Sequence, residues 1–285
     1  MTPVTRVRFV LALAATTFAC DSHAREEPLW EAGLGVAGIH FPDYRGSSHV
    51  RNYLLPAPYF VYRGDILAAD RGGLRGRIAR SDWLDLNLSL GASLPVRSEN
   101  NPVRAGMPDL RPSIEIGASL NATIWKIDDG RIQLDARFPL RGAVTLESHP
   151  QFIGGQFYPH LNLDVHDPAG LVGWNLGLVA GPVFTDGRYN RYFYEVLPQY
   201  ATPTRPAYSP GGGYGGMDFL VALSKRYPKY WIGGFVRYDT LKNAVYEDSP
   251  LVTTRNYVAG GIAISWIFGE SKERVEMRPY GEERK

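Results

Sequence analysis

Six histidines, a serine beside one of them and a run of glycines are what invite chemistry in this 285-residue chain. His160 and His166 share a strand at even spacing with Asp164 between them, so two imidazoles and a carboxylate fall on one face and suggest a divalent cation. At roughly 3.3 Å per strand residue, however, the two histidines stand about 20 Å apart and cannot share an ion. His40 and His49 flank a loop and His149 lies in another. Ser148-His149 pairs a nucleophile with a base, but neighbours on an extended chain point opposite ways, and no Gly-x-Ser-x-Gly elbow is present. The run Gly211 to Gly216 lacks the Lys-Ser/Thr ending of a phosphate loop and leads into a strand; flexibility at a loop exit is the plain explanation. No catalytic, metal or cofactor-binding residue is therefore expected, and the chain reads as a protein other than an enzyme.

The remaining polar residues follow a different rule. Leu84, Leu86, Leu88, Leu90, Ala92 and Leu94 alternate with Asp85, Asn87, Ser89, Gly91 and Ser93, so that one side of an extended strand is apolar and the other polar. Ile114 to Ile124 and Ile132 to Leu140 repeat the pattern, with charges on the polar side. By this parity Glu115, Arg131, Asp135, Arg137, Arg141, Asp164, Arg237 and Asp239 all face one interior. Charges of both signs across a narrow interior brace the wall, or select small polar solutes.

Alternation and breaks at Gly, Pro, Asn and Asp predict strands at 29–39, 52–63, 65–70, 73–80, 83–94, 111–125, 130–141, 155–166, 171–184, 213–226, 229–241 and 256–268. From residue 81 the connections alternate between short and long, as in barrels with tight periplasmic turns and long outer loops. That order requires two short strands within 65–80, joined at Arg71-Gly72-Gly73. The expected fold class is an all-β, antiparallel transmembrane β-barrel of about 12 strands. Trp30, Trp174, Tyr230, Tyr238, Trp266 and Phe268 stand near strand ends, where rings bridge oil and water.

Mean hydropathy is −0.22, and no apolar run approaches the roughly 18 residues of a membrane helix. Residues 1–24 read as a secretory signal peptide, with Arg6 and Arg8 before the apolar stretch Phe9 to Ala19 and small residues at Ser22 and Ala24. The lone cysteine, Cys20, lies inside it, and a lipoprotein reading lacks the aliphatic residue expected ahead of Cys20. Loss of Arg6, Arg8 and Asp21 lowers the formal charge from +2 by one unit, and near-neutrality argues against a nucleic-acid partner. Residues 25–268 form the expected outer-membrane barrel. The charged C-terminal tail, 269–285, shows no strand period and reads as solvated or as a docking segment.

Phe41-Pro42-Asp43-Tyr44-Arg45-Gly46-Ser47, then Leu55-Pro56-Ala57-Pro58-Tyr59 and Tyr62-Arg63-Gly64, resemble the opening of the MipA/OmpV family of outer-membrane proteins. Tyr214-Gly215-Gly216, Ser249-Pro250-Leu251-Val252 and Gly260-Gly261 to Trp266-Ile267-Phe268 are similar to the same family in the same order. The chain departs from it at Arg45, which stands between Tyr44 and Gly46, and in the charged tail after Phe268. The resemblance implies location in the outer-membrane lipid bilayer. It also implies a scaffold or anchor for peptidoglycan-remodelling enzymes, namely a lytic transglycosylase and a bifunctional penicillin-binding protein (murein synthase). Some relatives of this kind are adhesins or antibiotic-response proteins. A channel for small polar solutes is the alternative that the charged interior suggests.

Overall fold

The computed structural model describes residues 25–63, 67–70, 73–76, 79–80, 84–127 and 130–277; residues 1–24, expected to be a signal peptide, and the last residues of the tail, 278–285, lie outside them. In chain order the strands are β1 (Arg25–Pro28), β2 (Trp30–Pro42), β3 (Val50–Arg63), β4 (Leu67–Asp70), β5 (Gly73–Gly76), β6 (Ala79–Arg80), β7 (Leu84–Ser93), β8 (Ser113–Ile127), β9 (Ile132–Thr145), β10 (Phe152–Phe157), β11 (His160–His166), β12 (Trp174–Thr185), β13 (Gly213–Arg226), β14 (Tyr230–Thr240), β15 (Asn256–Glu270) and β16 (Arg274–Met277). Among the described residues one α-helix, α1 (Gly187–Tyr194), interrupts the longest connection.

All pairings are antiparallel, in the order β5-β4-β3-β2-β15-β14-β13-β12-β10-β9-β8-β7-β6, with β11 also seated between β12 and β9. The path begins at β5 and ends at β7 and β6, and β5 packs against β7, so the two ends of the sheet meet as a closed barrel requires. Among the described residues, counting β10 with β11 as one stave, and β5 with β6 on either side of residues 77–78 as another, gives the twelve that the alternation predicts. In the weak region β4 and β5 are two short strands paired from Leu67↔Gly76 to Asp70↔Gly73, while the expected joint at Arg71-Gly72 and residues 65–66 and 77–78 lie outside the described residues.

Period-two alternation makes this wall two-faced. Leu54 is 78% exposed, Ile262 75% and Phe268 72%, whereas Ala259, Asp239 and Glu31 on the opposite face are almost wholly buried. A water-soluble fold would reverse that distribution; a lipid-facing barrel requires it. Among the described residues no helix is long and apolar enough to cross a membrane. Trp30, Trp266 and Phe268 stand at the short-turn end of this outer face, with Trp266 paired opposite Tyr230, and together form an aromatic band.

Four departures from the expected strands have physical causes. The stave expected at 155–166 starts at Phe152 and breaks between β10 and β11 at Tyr158-Pro159, where Pro159 has no N–H to donate and Tyr158 turns its own amide to Pro139 O, 3.0 Å away. β9 runs on to Thr145, so the long loop expected at 142–154 shrinks to a short connection at 146–151. Within the long connection 186–212, Asp186 caps α1 by accepting from Tyr189 N at 2.7 Å; eight residues are too few for helical periodicity to stand out in the sequence. Finally, Arg274–Met277, in the tail expected to lack strand structure, pairs with Arg25–Pro28. This two-stranded ribbon continues the β2–β15 pair past the short-turn end.

Candidate functional site

Among the described residues the buried apolar cluster takes only Ala143 of β9 and Ile153 of β10 from the wall strands. It sits at the long-loop mouth, where Tyr44, Val96, Leu110, Phe193, Tyr194, Val196, Leu241, Tyr246 and Leu251 meet from every long connection. Leu241 and Leu251 are fully buried and Val96, Val196 and Tyr246 nearly so; each such side chain contributes roughly 1.5–3 kcal/mol when removed from water. The loops thereby form a folded cap. Tyr194 and Tyr246 stack with ring centroids 3.9 Å apart, Ser249 Oγ donates to Tyr194 O at 2.8 Å, and Tyr44 Oη donates to Leu251 O at 2.8 Å.

Most polar groups in the cap are matched, Asn101 Oδ1 being a buried exception. The Asp43 carboxylate takes Arg51 Nε at 2.5 Å, Asn101 Nδ2 at 2.7 Å and His49 Nδ1 at 3.1 Å. Arg104 is 3% exposed and donates to Phe193 O at 3.0 Å and Pro108 O at 3.2 Å, while burial lowers its pKa below the usual arginine value. Arg205 reaches Tyr200 O, Val103 O and Ala105 O, tying two loops together. Burial also raises the phenol pKa of Tyr44, up to about 12, and lifts those of Tyr189 and Tyr194 well above the ordinary value, with Glu115 adding to the effect at Tyr189 and Tyr246 at Tyr194.

Two cap residues reach down into the lumen. Tyr189 Oη donates to Glu115 Oε1 at 2.8 Å, and Arg45 Nε donates to Asp239 Oδ1 at 2.8 Å. Below them the lumen is lined by ion pairs. Arg141 Nη1 lies 3.5 Å from Glu115 Oε2 and its Nε donates to Ser89 Oγ at 2.8 Å. Arg137 bridges Asp135 at 3.1 Å and Asp164 at 3.3 Å. Arg237 lies between Asp218 and Asp239, and Tyr158 Oη donates to Asp218 at 2.5 Å. Nearest the short-turn end, Glu31 takes Arg226 at 3.0 Å and the Tyr59 hydroxyl at 2.8 Å.

Seven of the eight charges assigned to the interior by parity are therefore there and paired. Arg131 is the exception: it is exposed at the turn before β9. Asp218, Arg226, Glu31 and Arg45 join the network unexpectedly. Strand parity marks the first three, whereas nothing local marks Arg45, the departure in the opening motif, because its reach depends on how its loop folds.

The histidines disperse. His160 is half-buried and stacked on Tyr158 at 4.4 Å, His166 is exposed beside Asn175, and His40 bonds Asn52 at 2.7 Å. Among the described residues no group of three His, Cys, Asp or Glu side chains is placed to hold a metal. Ser148 Oγ and His149 Nδ1 are 3.3 Å apart in the connection between β9 and β10, but both are exposed, and among the described residues no carboxylate hydrogen-bonds His149. Beyond Gly211, which has open space around it, the glycine run serves close packing: a Cβ on Gly212 would stand 2.8 Å from Gly187 N, and Gly216, at φ +100°, lies against the Thr240 carbonyl.

A family model described as MltA-interacting protein MipA matches residues 34–268. No curated protein matches the chain. Among solved structures, one titled "Asymmetric conductivity of engineered proteins" is 8% identical, spans 85% of this chain and 100% of its own and has a TM-score of 0.18, a likeness too low to bear on fold or function.

Proposed function

Because the chain belongs to the MipA family, described as MltA-interacting proteins, we propose that it is an outer-membrane barrel that anchors a peptidoglycan-remodelling enzyme on its periplasmic side. The observation that carries this reading is the capped mouth. A barrel whose long loops share a buried core, and whose lumenal charges are already paired, is suited to being a rigid platform. The short turns and the β1–β16 ribbon occupy the opposite end, which in this orientation faces the cell wall. The enzyme is a lytic transglycosylase, with a bifunctional murein synthase as the second member of the assembly.

Affinity capture of these enzymes from detergent extracts tests the proposal, with the full chain and with a variant ending at Glu270. Recovery by the full chain and loss on truncation is the expected result. Equal recovery removes the ribbon's part, and no recovery by a heat-modifiable, folded barrel removes the anchor reading. The solute-channel alternative makes the opposite forecast in planar bilayers: the capped barrel is expected to be silent, and steady single-channel steps would favour the channel.

A further inference from the structure

We propose that the outer rim above β8, β9 and β10, together with the wall beneath it, binds a phosphorylated, multiply acylated glycolipid of the outer leaflet. This rests on the outer-membrane placement proposed above. Two independent features point to such a ligand.

The first is a cationic rim. α1 carries Arg188, Arg191 and Tyr192, and Arg188 and Arg191, three residues apart, project from one exposed face. Tyr192, one turn beyond Arg188, accepts from Arg111 N at 2.8 Å, which brings a third guanidinium, 58% exposed, to the same rim. Arg188 spreads over the outward ring of Phe152 at 5.6 Å. Among the described residues neither Arg188 nor Arg191 has a carboxylate within ion-pair distance, and Arg111 meets Glu147 only at 3.7 Å. Of the nearby acids, Glu147 also accepts from Thr145 Oγ1 and Asp186 is occupied by Gly155 N and Tyr189 N. Glu195, one turn beyond Arg191, accepts from Ser209 Oγ at 3.0 Å, so the acids of the rim are engaged by neighbours while Arg188 and Arg191 have no ion pair among the described residues, and their guanidinium forks match phosphate oxygens.

The second is a groove of about 370 Å³ in the outer wall, lined by Leu161, Leu163, Leu178, Phe219, Val221 and Tyr238 among others. It reaches the rim's staves at Leu134 of β9 and at Leu161 and Leu163 of β11, and extends from them across β12 to β14. Leu161 is in register with Ala180, and four residues nearer the mouth, about 13 Å of strand, Phe157 pairs with Phe184. Phe157, Phe184 and Tyr214 form an aromatic step between groove and rim. The column therefore reads arginines, rings, apolar groove, the sequence of chemistries along a lipid from phosphate through sugar to acyl chain. A free phosphate has no use for the groove, and an uncharged lipid has none for the rim.

The test titrates the full, refolded chain with bis-phosphorylated lipid A by native mass spectrometry, in parallel with the same lipid stripped of phosphate and with inorganic phosphate. The variants are R111Q/R188Q/R191Q, and V221W to fill the groove; heat-modifiable gel mobility confirms folding of each. The expected results are a lipid A complex for the wild type, affinity lower by about tenfold or more for the triple variant and for the dephosphorylated lipid, and weaker binding with retained phosphate preference for V221W. Equal binding of lipid A by the wild type and the triple variant, equal binding of both lipids, or saturation by inorganic phosphate alone would overturn the proposal. Outer-membrane fractionation reports separately on the placement, since a barrel found elsewhere would fail that reading whatever lipid it binds in vitro.

Discussion

Arg45, in the connection between β2 and β3, places its guanidinium on Asp239 near the end of β14, with Nη2 2.7 Å from Oδ1, and so fastens the cap to a wall carboxylate that has no solvent exposure. Arg237 shares the same carboxylate, so the latch couples a loop, a strand and, through Asp218, the broken stave at Tyr158. Arg45→Ala is expected to loosen the cap at a cost of about 1–3 kcal/mol, less than for an isolated buried pair because Arg237 remains as a counter-ion. Limited proteolysis within residues 241–255 checks this; cleavage as slow as in the wild type would show that the latch is dispensable.

Alkaline pH should open the cap before it unfolds the wall. Tyr44 has its pKa pushed up to about 12, and those of Tyr189 and Tyr194 are raised as well, so the folded state holds phenol protons that an unfolded loop would release near pH 10. The stability these groups supply is complete below about pH 10 and is lost as pH rises through the folded values, which for Tyr44 sets a window of about 10 to 12. Tyrosinate absorbance near 295 nm followed alongside cap proteolysis should show both rising together; ionisation of every tyrosine near pH 10 with the cap intact would contradict the assignment.

Gly154 and Gly211 should respond oppositely to alanine. Gly154 has φ +124°, and a Cβ there would lie 2.8 Å from Tyr189 Cα, so neither its own backbone nor the start of α1 can accept it. Gly211 has open space around it. Gly154→Ala should cost several times the roughly 1 kcal/mol of a strained backbone alone, with loss of cap order, while Gly211→Ala should leave the thermal midpoint nearly unchanged. Equal behaviour of the two variants in a thermal melt would place α1 away from β10.

Ile262 and Ser265 test which face meets lipid. Ile262 is 75% exposed on the outer wall, whereas Ser265 is 2% exposed and donates to Ala57 O at 3.0 Å. Ile262→Arg is expected to cost about 2–4 kcal/mol near the bilayer midplane. Ile262→Leu should be silent, and Ser265→Ala should cost only about 1 kcal/mol for the lost hydrogen bond. Folding yield into vesicles, scored by gel mobility, gives the order; tolerance of the arginine would mean that this face touches water.

The architecture was readable in the residues because a strand's side chains alternate strictly, so the run Leu84 to Leu94 declares its two faces without knowledge of any neighbour. The same rule located Glu115, Asp135, Arg137 and Arg141 in the lumen, and the order of short and long connections required two strands between residues 65 and 80. Tertiary structure alone decided the rest. Arg45 meets Asp239 across 194 residues of sequence, and Tyr194 stacks on Tyr246 from a different loop. Both contacts depend on where irregular loops settle, which no local period encodes. The cap, the helix within it and the column from Arg188 down to Leu161 arise because burying scattered aromatics from several connections is favourable only once the wall has brought those connections to one mouth.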